Sequence, residues 1–200
     1  MKRQAFIGSL RAPALGLALA LVGWSVSAQT PLAIESGRVT IAGSSNVHAW
    51  TAATNKVRVT RARIAPAAAG ADLWETALKP GVIEAFEIAI PAASLSSPKG
   101  DLDKNMHKAL NVTEHADITF RLLRLEAARA IGILRIAGVE KEVALDITTK
   151  RTGTTLAVSG RIDLLMTDYG IVPPKAMLGM LKTDPKVAIT FETVLAIPLT

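Results

Sequence analysis

Cysteine is absent from all 200 residues. No disulfide can staple the fold, no thiolate can ligate a metal, and no lipid can be carried on an N-terminal Cys. Hydrophobic burial must therefore hold the chain together alone. Histidine is nearly as scarce: His48, His107 and His115 are the only three. Asp103 and His107 are four residues apart, so a helix would bring them together, yet zinc needs three or four ligands and no third stands near. Asp101, Asp103 and Asn105 imitate the start of a calcium loop, but Met106 replaces its glycine and Val112 its bidentate glutamate. No Gly-x-Ser-x-Gly elbow is present, nor a Lys/Arg run interleaved with aromatics. These gaps point away from a metal site, a serine hydrolase and a nucleic-acid binder. The expectation is a non-enzymatic protein without cofactor; an enzyme built around Asp103 and His107 is the remaining catalytic alternative. Aromatics are few as well, at 4% of the chain, which favours a roomy interior.

At the N-terminus the chain has the order of a secretory signal peptide. Lys2, Arg3 and Arg11 are basic, Ala12–Trp24 is largely apolar, and Val26-Ser27-Ala28 supplies small residues before Gln29. The apolar stretch is short for a bilayer span, which takes about 20 residues; an uncleaved anchor is the alternative. Cleavage near Ala28 makes residues 1–28 the signal and 29–200 one domain, placed in a periplasm or outside the cell. The first 28 residues hold three of the 23 basic residues and none of the acids, leaving 20 against 17, a mild +3. That balance gives no reason to expect nucleic acid.

Beyond the signal, period-2 alternation dominates, and in a strand it sends every second side chain to one face. The densest stretch is Ile131–Met166, read as three strands. Its second run sets Val143, Leu145 and Ile147 against Glu142, Asp146 and Thr148. Its third sets Leu156, Val158, Ile162, Leu164 and Met166 against Ser159, Arg161 and Asp163, and the turn before the second run is placed at Gly138–Lys141. Further strands are expected at Leu32–Ile41, Ile118–Arg124 and Val187–Ile197. Val47–Thr51 and Lys56–Ile64 read as a hairpin, and Val82–Ile90 as a strand with Val82, Glu84, Phe86, Ile88 and Ile90 on one face. Gly43–Asn46 reads as a polar break. Asp101–Leu110 is the best helix, capped by Asp101, with Leu102, Met106, Ala109 and Leu110 on one side. Lys175–Leu181 reads as a second short helix. About eight antiparallel strands with one or two short helices near the mouth make an all-β barrel the expected fold, since closure removes exposed edges. An open two-sheet sandwich is second.

Several ordered motifs then resemble the YceI-like family. They are Gly43-Ser44-Ser45-Asn46-Val47-His48-Ala49-Trp50, Ala116-Asp117-Ile118-Thr119-Phe120, the run Gly132–Ile147, Met166–Ile171 with Pro173-Pro174, and Lys186–Phe191. The resemblance covers the mature chain in order. It implies a lipocalin-like barrel, usually exported, whose interior takes a long isoprenoid or other lipid chain. By strand phase the inward candidates are Phe86, Ile88, Ile118, Phe120, Leu122, Leu134, Ile136, Val143, Leu145, Leu164, Met166 and Phe191. Met106 and Leu110 of the helix, with Met177, Leu178 and Leu181, are candidate lid residues, and Tyr169 a polar gate. The expected partner is an apolar lipid, with transient contact to a membrane or membrane protein. The alternative is that these side chains pack a solid core, leaving a secreted structural or interaction module.

Overall fold

Alternating strands with one apolar face must bury that face against something, and here a single sheet buries it against itself. A computed structural model describes residues 32–65, 73–176 and 180–197. The strands are β1 (Ala33–Ser45), β2 (Ala49–Thr54), β3 (Arg58–Ile64), β4 (Ile83–Pro91), β5 (Asp117–Glu126), β6 (Arg129–Ile136), β7 (Val139–Thr152), β8 (Thr155–Leu165), β9 (Lys175–Ala176) and β10 (Leu181–Ala196). A one-turn helix, α1 (Leu73–Thr76), precedes β4, and α2 (Gly100–Ala109) precedes β5. The sheet is antiparallel throughout, in the order β2-β1-β10-β8-β7-β6-β5-β4-β3, with β9 hooked onto the start of β10. It is the expected barrel-like antiparallel fold.

The central meander forms as its alternation requires. Leu145 and Leu156 are buried, while Glu142, Asp146 and Arg161 face solvent. Its first turn is tighter than expected. Ala137 and Gly138 alone make it, at φ 48° and 81°, and Val139 is already paired with Ile136. Both turn residues are left-handed, the conformation a two-residue hairpin needs. Gly138 is doubly constrained, because a β-carbon there would lie 2.6 Å from the His115 ring. At the meander's end β8 stops at Leu165, and Met166 opens a 3-10 turn to Tyr169.

Four expectations about strand pairing, strand phase and the second helix are corrected. Gly43-Ser44-Ser45 belongs to β1 instead of breaking it, paired with both Ala49–Trp50 and β10. Val47–Thr51 and Lys56–Ile64 do not pair as a hairpin: β2 pairs with β1, β3 pairs with β4, and the two are opposite edges of the sheet. In β4 the ladder slips between Arg63 and Ile64, where Ile64 meets Ile83 while Arg63 meets Ala85. This bulge shifts the phase. Val82 falls outside the strand, Ile83 turns inward with Phe86, and Glu84 turns out to meet Arg63 at 2.7 Å. Lys175–Leu181 is not a helix at its ends, since Lys175 and Ala176 pair with Lys182 and Leu181; residues 177–179, with Met177 and Leu178, lie outside the described residues.

The helix α2 forms one residue earlier than expected, and Lys99 rather than Asp101 occupies its N-cap, with no side-chain cap. Asp103 reaches back to accept the Ser97 N–H at 2.8 Å, and His107 Nε2 bonds the Leu95 carbonyl at 2.8 Å. The two side chains anchor the preceding loop.

Three glycines set the curvature. A β-carbon at Gly132 would lie 2.5 Å from the Phe120 ring and the Arg121 carbonyl. One at Gly160 would lie 2.6 Å from the Phe191 ring and the Asp146 carbonyl, and one at Gly43 would overlap the Trp50 indole. Each aromatic thus leans over a glycine of the neighbouring strand, a device that strongly bent sheets use. Replacing Gly160 with alanine should lower unfolding free energy by about 1–3 kcal/mol in urea melts, the usual cost of overpacking. Gly100→Ala, where no atom lies within 4 Å, should change it by less than about 1 kcal/mol.

Candidate ligand cavity

The inward faces enclose two chambers. The outer one, about 390 Å³, lies among the tip of the β1–β2 hairpin, α2, the segment after β8 and the start of β10. Its lining includes the exposed residues His48, Thr51, Lys99 and Lys175, so this end opens to solvent. The inner chamber, about 160 Å³, lies between the inward faces of the strands, with Trp74 and Leu78 among its lining. Both chambers are bounded by Ile41, Ile118 and Ile189. These three isoleucines, stiff at their branched Cβ, form a waist.

Of the residues singled out by phase, Phe86, Ile88, Phe120, Leu122, Leu134, Leu145 and Phe191 line the inner chamber. Met106, Leu110, Ile136, Leu164, Met166 and Tyr169 line the outer one, and Ile118 lies on both. Val143 packs partly buried against the same apolar cluster. Leu181 lines the outer chamber, whereas Met177 is outside the described residues. Ile41, Ile189, Trp50 and Trp74 were not among the candidates. Leu73–Ala77 and Trp74–Leu78 are i, i+4 pairs, which is the signal that marks α1 as a short apolar turn. Its Trp74 is buried, with Nε1 donating to the Thr154 carbonyl at 2.7 Å.

A profile of the YceI-like domain family matches residues 38–195. The chain belongs to that family. No curated protein sequence matches it. Among solved structures, BcnA from Burkholderia cenocepacia is 15% identical with a TM-score of 0.61, covering 80% of this chain and 96% of its own. A polyisoprenoid-binding domain from Saccharophagus degradans implicated in plant cell wall breakdown is 12% identical with a TM-score of 0.64, covering 85% and 100%. The Campylobacter jejuni YCEI protein is 13% identical with a TM-score of 0.50, covering 92% and 97%. At such identities these likenesses establish the fold.

In this YceI-like chain most polar groups sit at the mouth: Ser45, His48, Thr51, Ser97, Asn105 and Thr183, with Lys99 and Lys175; the inner chamber adds Thr149 and Thr193. No carboxylate is among the lining residues of either chamber. Arg161 meets Asp163 on the wet face at 3.0 Å. Arg135 is also exposed. Among the described residues no group of three His, Asp or Glu is placed to hold a metal.

Tyr169 is buried, and burial, aided by the neighbouring Asp168 carboxylate, pushes its phenol up to about 12. It therefore stays protonated and able to donate. Because it is the chain's one tyrosine, ultraviolet titration of the tyrosinate band reads it alone and should give a midpoint near 12 in place of 10. The unfolded phenol ionises first as pH rises. Its contribution to stability is therefore constant below pH 10 and declines between 10 and 12. Tyr169→Phe should remove that part of the alkaline decline.

Proposed function

We propose that this protein is exported and holds a long apolar chain, an isoprenoid, isoprenoid quinone or fatty-acid derivative, in its two chambers for sequestration or transport. The observation that carries the reading is a pair of adjoining chambers, walled mainly by apolar side chains and sharing Ile41, Ile118 and Ile189, the outer of which opens to solvent. Family membership and the fold of a polyisoprenoid-binding domain support it. Such a site needs no reactive group, and the reading is that of a non-enzymatic carrier. Pockets for small molecules span roughly 300–1,000 Å³, and an apolar cavity of ~150 Å³ already takes a benzene-sized ring. The outer chamber is therefore large enough for a folded segment of chain and the inner one for its end.

The energetics are adequate. Covering roughly 500 Å² of apolar chain yields about 12 kcal/mol gross at 25 cal/mol per Å². Lost translational freedom and ordering take back about 4–15 kcal/mol. Micromolar binding lies within that range without a hydrogen bond.

Organic extraction of protein purified from an exporting host, followed by mass spectrometry, should recover a long-chain lipid in near-stoichiometric amount. Repeated extraction of none, with no uptake of added isoprenoid or fatty chains, would sink the reading. The same spectra should show a mature N-terminus at or near Gln29; an intact Met1 in the exported pool would count against signal cleavage. Ile189→Phe should narrow the waist. A chain short enough for the outer chamber should keep its affinity, while one that must reach the inner chamber should bind tenfold or more weakly, since each methylene kept out forfeits about 0.8 kcal/mol. Competition with chains of graded length measures this.

A further inference from the structure

Six large apolar side chains are exposed among the described residues, and the three most exposed are Val172 at 77%, Met180 at 70% and Val47 at 68%. All three sit at the mouth of the outer chamber. Val47 is next to His48, and Val172 lies between Ile171 and the Pro173-Pro174 pair; His48, Ile171 and Pro174 all line the chamber. Met180 immediately precedes Leu181, another lining residue.

These positions are held together. Asn46 Nδ2 donates to the Met180 carbonyl at 2.9 Å, its Oδ1 accepts the Lys182 N–H at 2.8 Å, and its own N–H donates to the Lys182 carbonyl at 3.1 Å. The Thr183 N–H donates to the Pro174 carbonyl at 3.1 Å. The hairpin tip, the proline segment and the start of β10 thus form one backbone-bonded rim.

Charge on that rim leans basic, with Lys99, Lys175 and Lys182 set against the exposed Asp168 and Asp184, which adjoin the lining residues Tyr169 and Thr183. Lys175 and Lys182 are direct register partners on adjacent strands, an arrangement of like charges that is destabilising. Neither makes an ion pair among the described residues, nor does Lys99 across the mouth, while the nearby Asp101 pairs with Lys104 and Asp163 with Lys186. Exposed apolar side chains ringed by lysines suit one partner surface: a bilayer whose head groups are anionic. We infer that the mouth of the barrel docks peripherally on an anionic membrane, seating Val47, Val172 and Met180 at the acyl boundary and the lysines among the phosphates. An apolar chain then passes between bilayer and outer chamber without crossing water. Val47, Val172, Met180 and Lys182 line neither chamber, so failure of docking and failure of the carrier reading are separable at these positions.

The test uses protein from an exporting host, flotation with phosphatidylcholine vesicles with and without phosphatidylglycerol, and separate uptake of a fluorescent apolar chain from solution. The parent protein should float with the anionic vesicles and lose affinity with added salt. Lys182→Gln should weaken binding about fivefold, the effect of one basic residue near such a surface. V47S/V172S/M180S should weaken it tenfold or more while leaving the melting temperature and uptake from solution unchanged. Should the triple variant fold poorly, Val172→Ser alone gives the same comparison at smaller amplitude. Equal vesicle binding by variant and parent overturns the proposal. So does no vesicle binding while uptake from solution proceeds, or a dimer by light scattering that the triple variant dissolves, which would assign the rim to a second copy.

Discussion

The hollow in this molecule depends on aromatic rings lying against glycines. Phe120 over Gly132, Phe191 over Gly160 and Trp50 over Gly43 are spaced around the sheet, on β5–β6, β8–β10 and β1–β2. In each pair the missing β-carbon admits the ring onto the neighbouring strand, so the bulkiest side chains hug the wall and leave the axis clear. The same absence lets strands bend more sharply than a fully substituted pleat would. One contact type thus supplies curvature and emptiness together.

A sheet so curved still has two edges. β2 and β3 are joined by only three residues, Asn55 to Val57, and β1 packs against that link, where a β-carbon on Gly37 would lie 3.2 Å from Val57 Cβ. Among the described residues no ladder joins β2 to β3. β2 is instead bonded through Ala53 to Ser96, ahead of α2, in both directions at 2.8 and 3.0 Å. Covering an edge with a loop limits its exposure to other chains. It also ties α2 to the wall it overhangs, with Asp103 and His107 fixing the other side of that loop.

What the sequence made legible follows from how local each signal is. The meander β6-β7-β8 was readable because its residues alternate without interruption and its partners are neighbours in the chain. The phase of those strands also picked out Leu134, Ile136, Leu145 and Leu164 of the cavity lining, whereas Val143 lines neither chamber. Misreadings cluster where pairing is non-local or irregular. The Arg63/Ile64 slip reverses the phase of β4 at Glu84, and no periodicity spans a bulge. The polar run Gly43–Ser45 looks like a loop until β2 and β10 flank it on both sides. The waist was beyond reach for a similar reason: Ile41, Ile118 and Ile189 come from strands far apart in sequence, and they meet only once the sheet has curled.

This arrangement decides what kind of selectivity the cavity has. Most polar groups lie at the mouth, where water competes for them and hydrogen bonds add little net free energy; Thr149 and Thr193 are the polar members of the inner lining. Beyond the mouth, discrimination rests on shape: the bore at the three isoleucines and the depth to Trp74. Apolar contact is non-directional, so chains of similar girth should be accepted whatever their chemical origin, and length should matter most. Unfilled space also means that wall atoms lack partners, and a bound chain restores those contacts and stabilises the folded state by mass action. The ladders need no such help, since β1–β10 and β8–β10 pair along most of their length. A wall held by its own backbone hydrogen bonds keeps its shape whether or not the interior is filled.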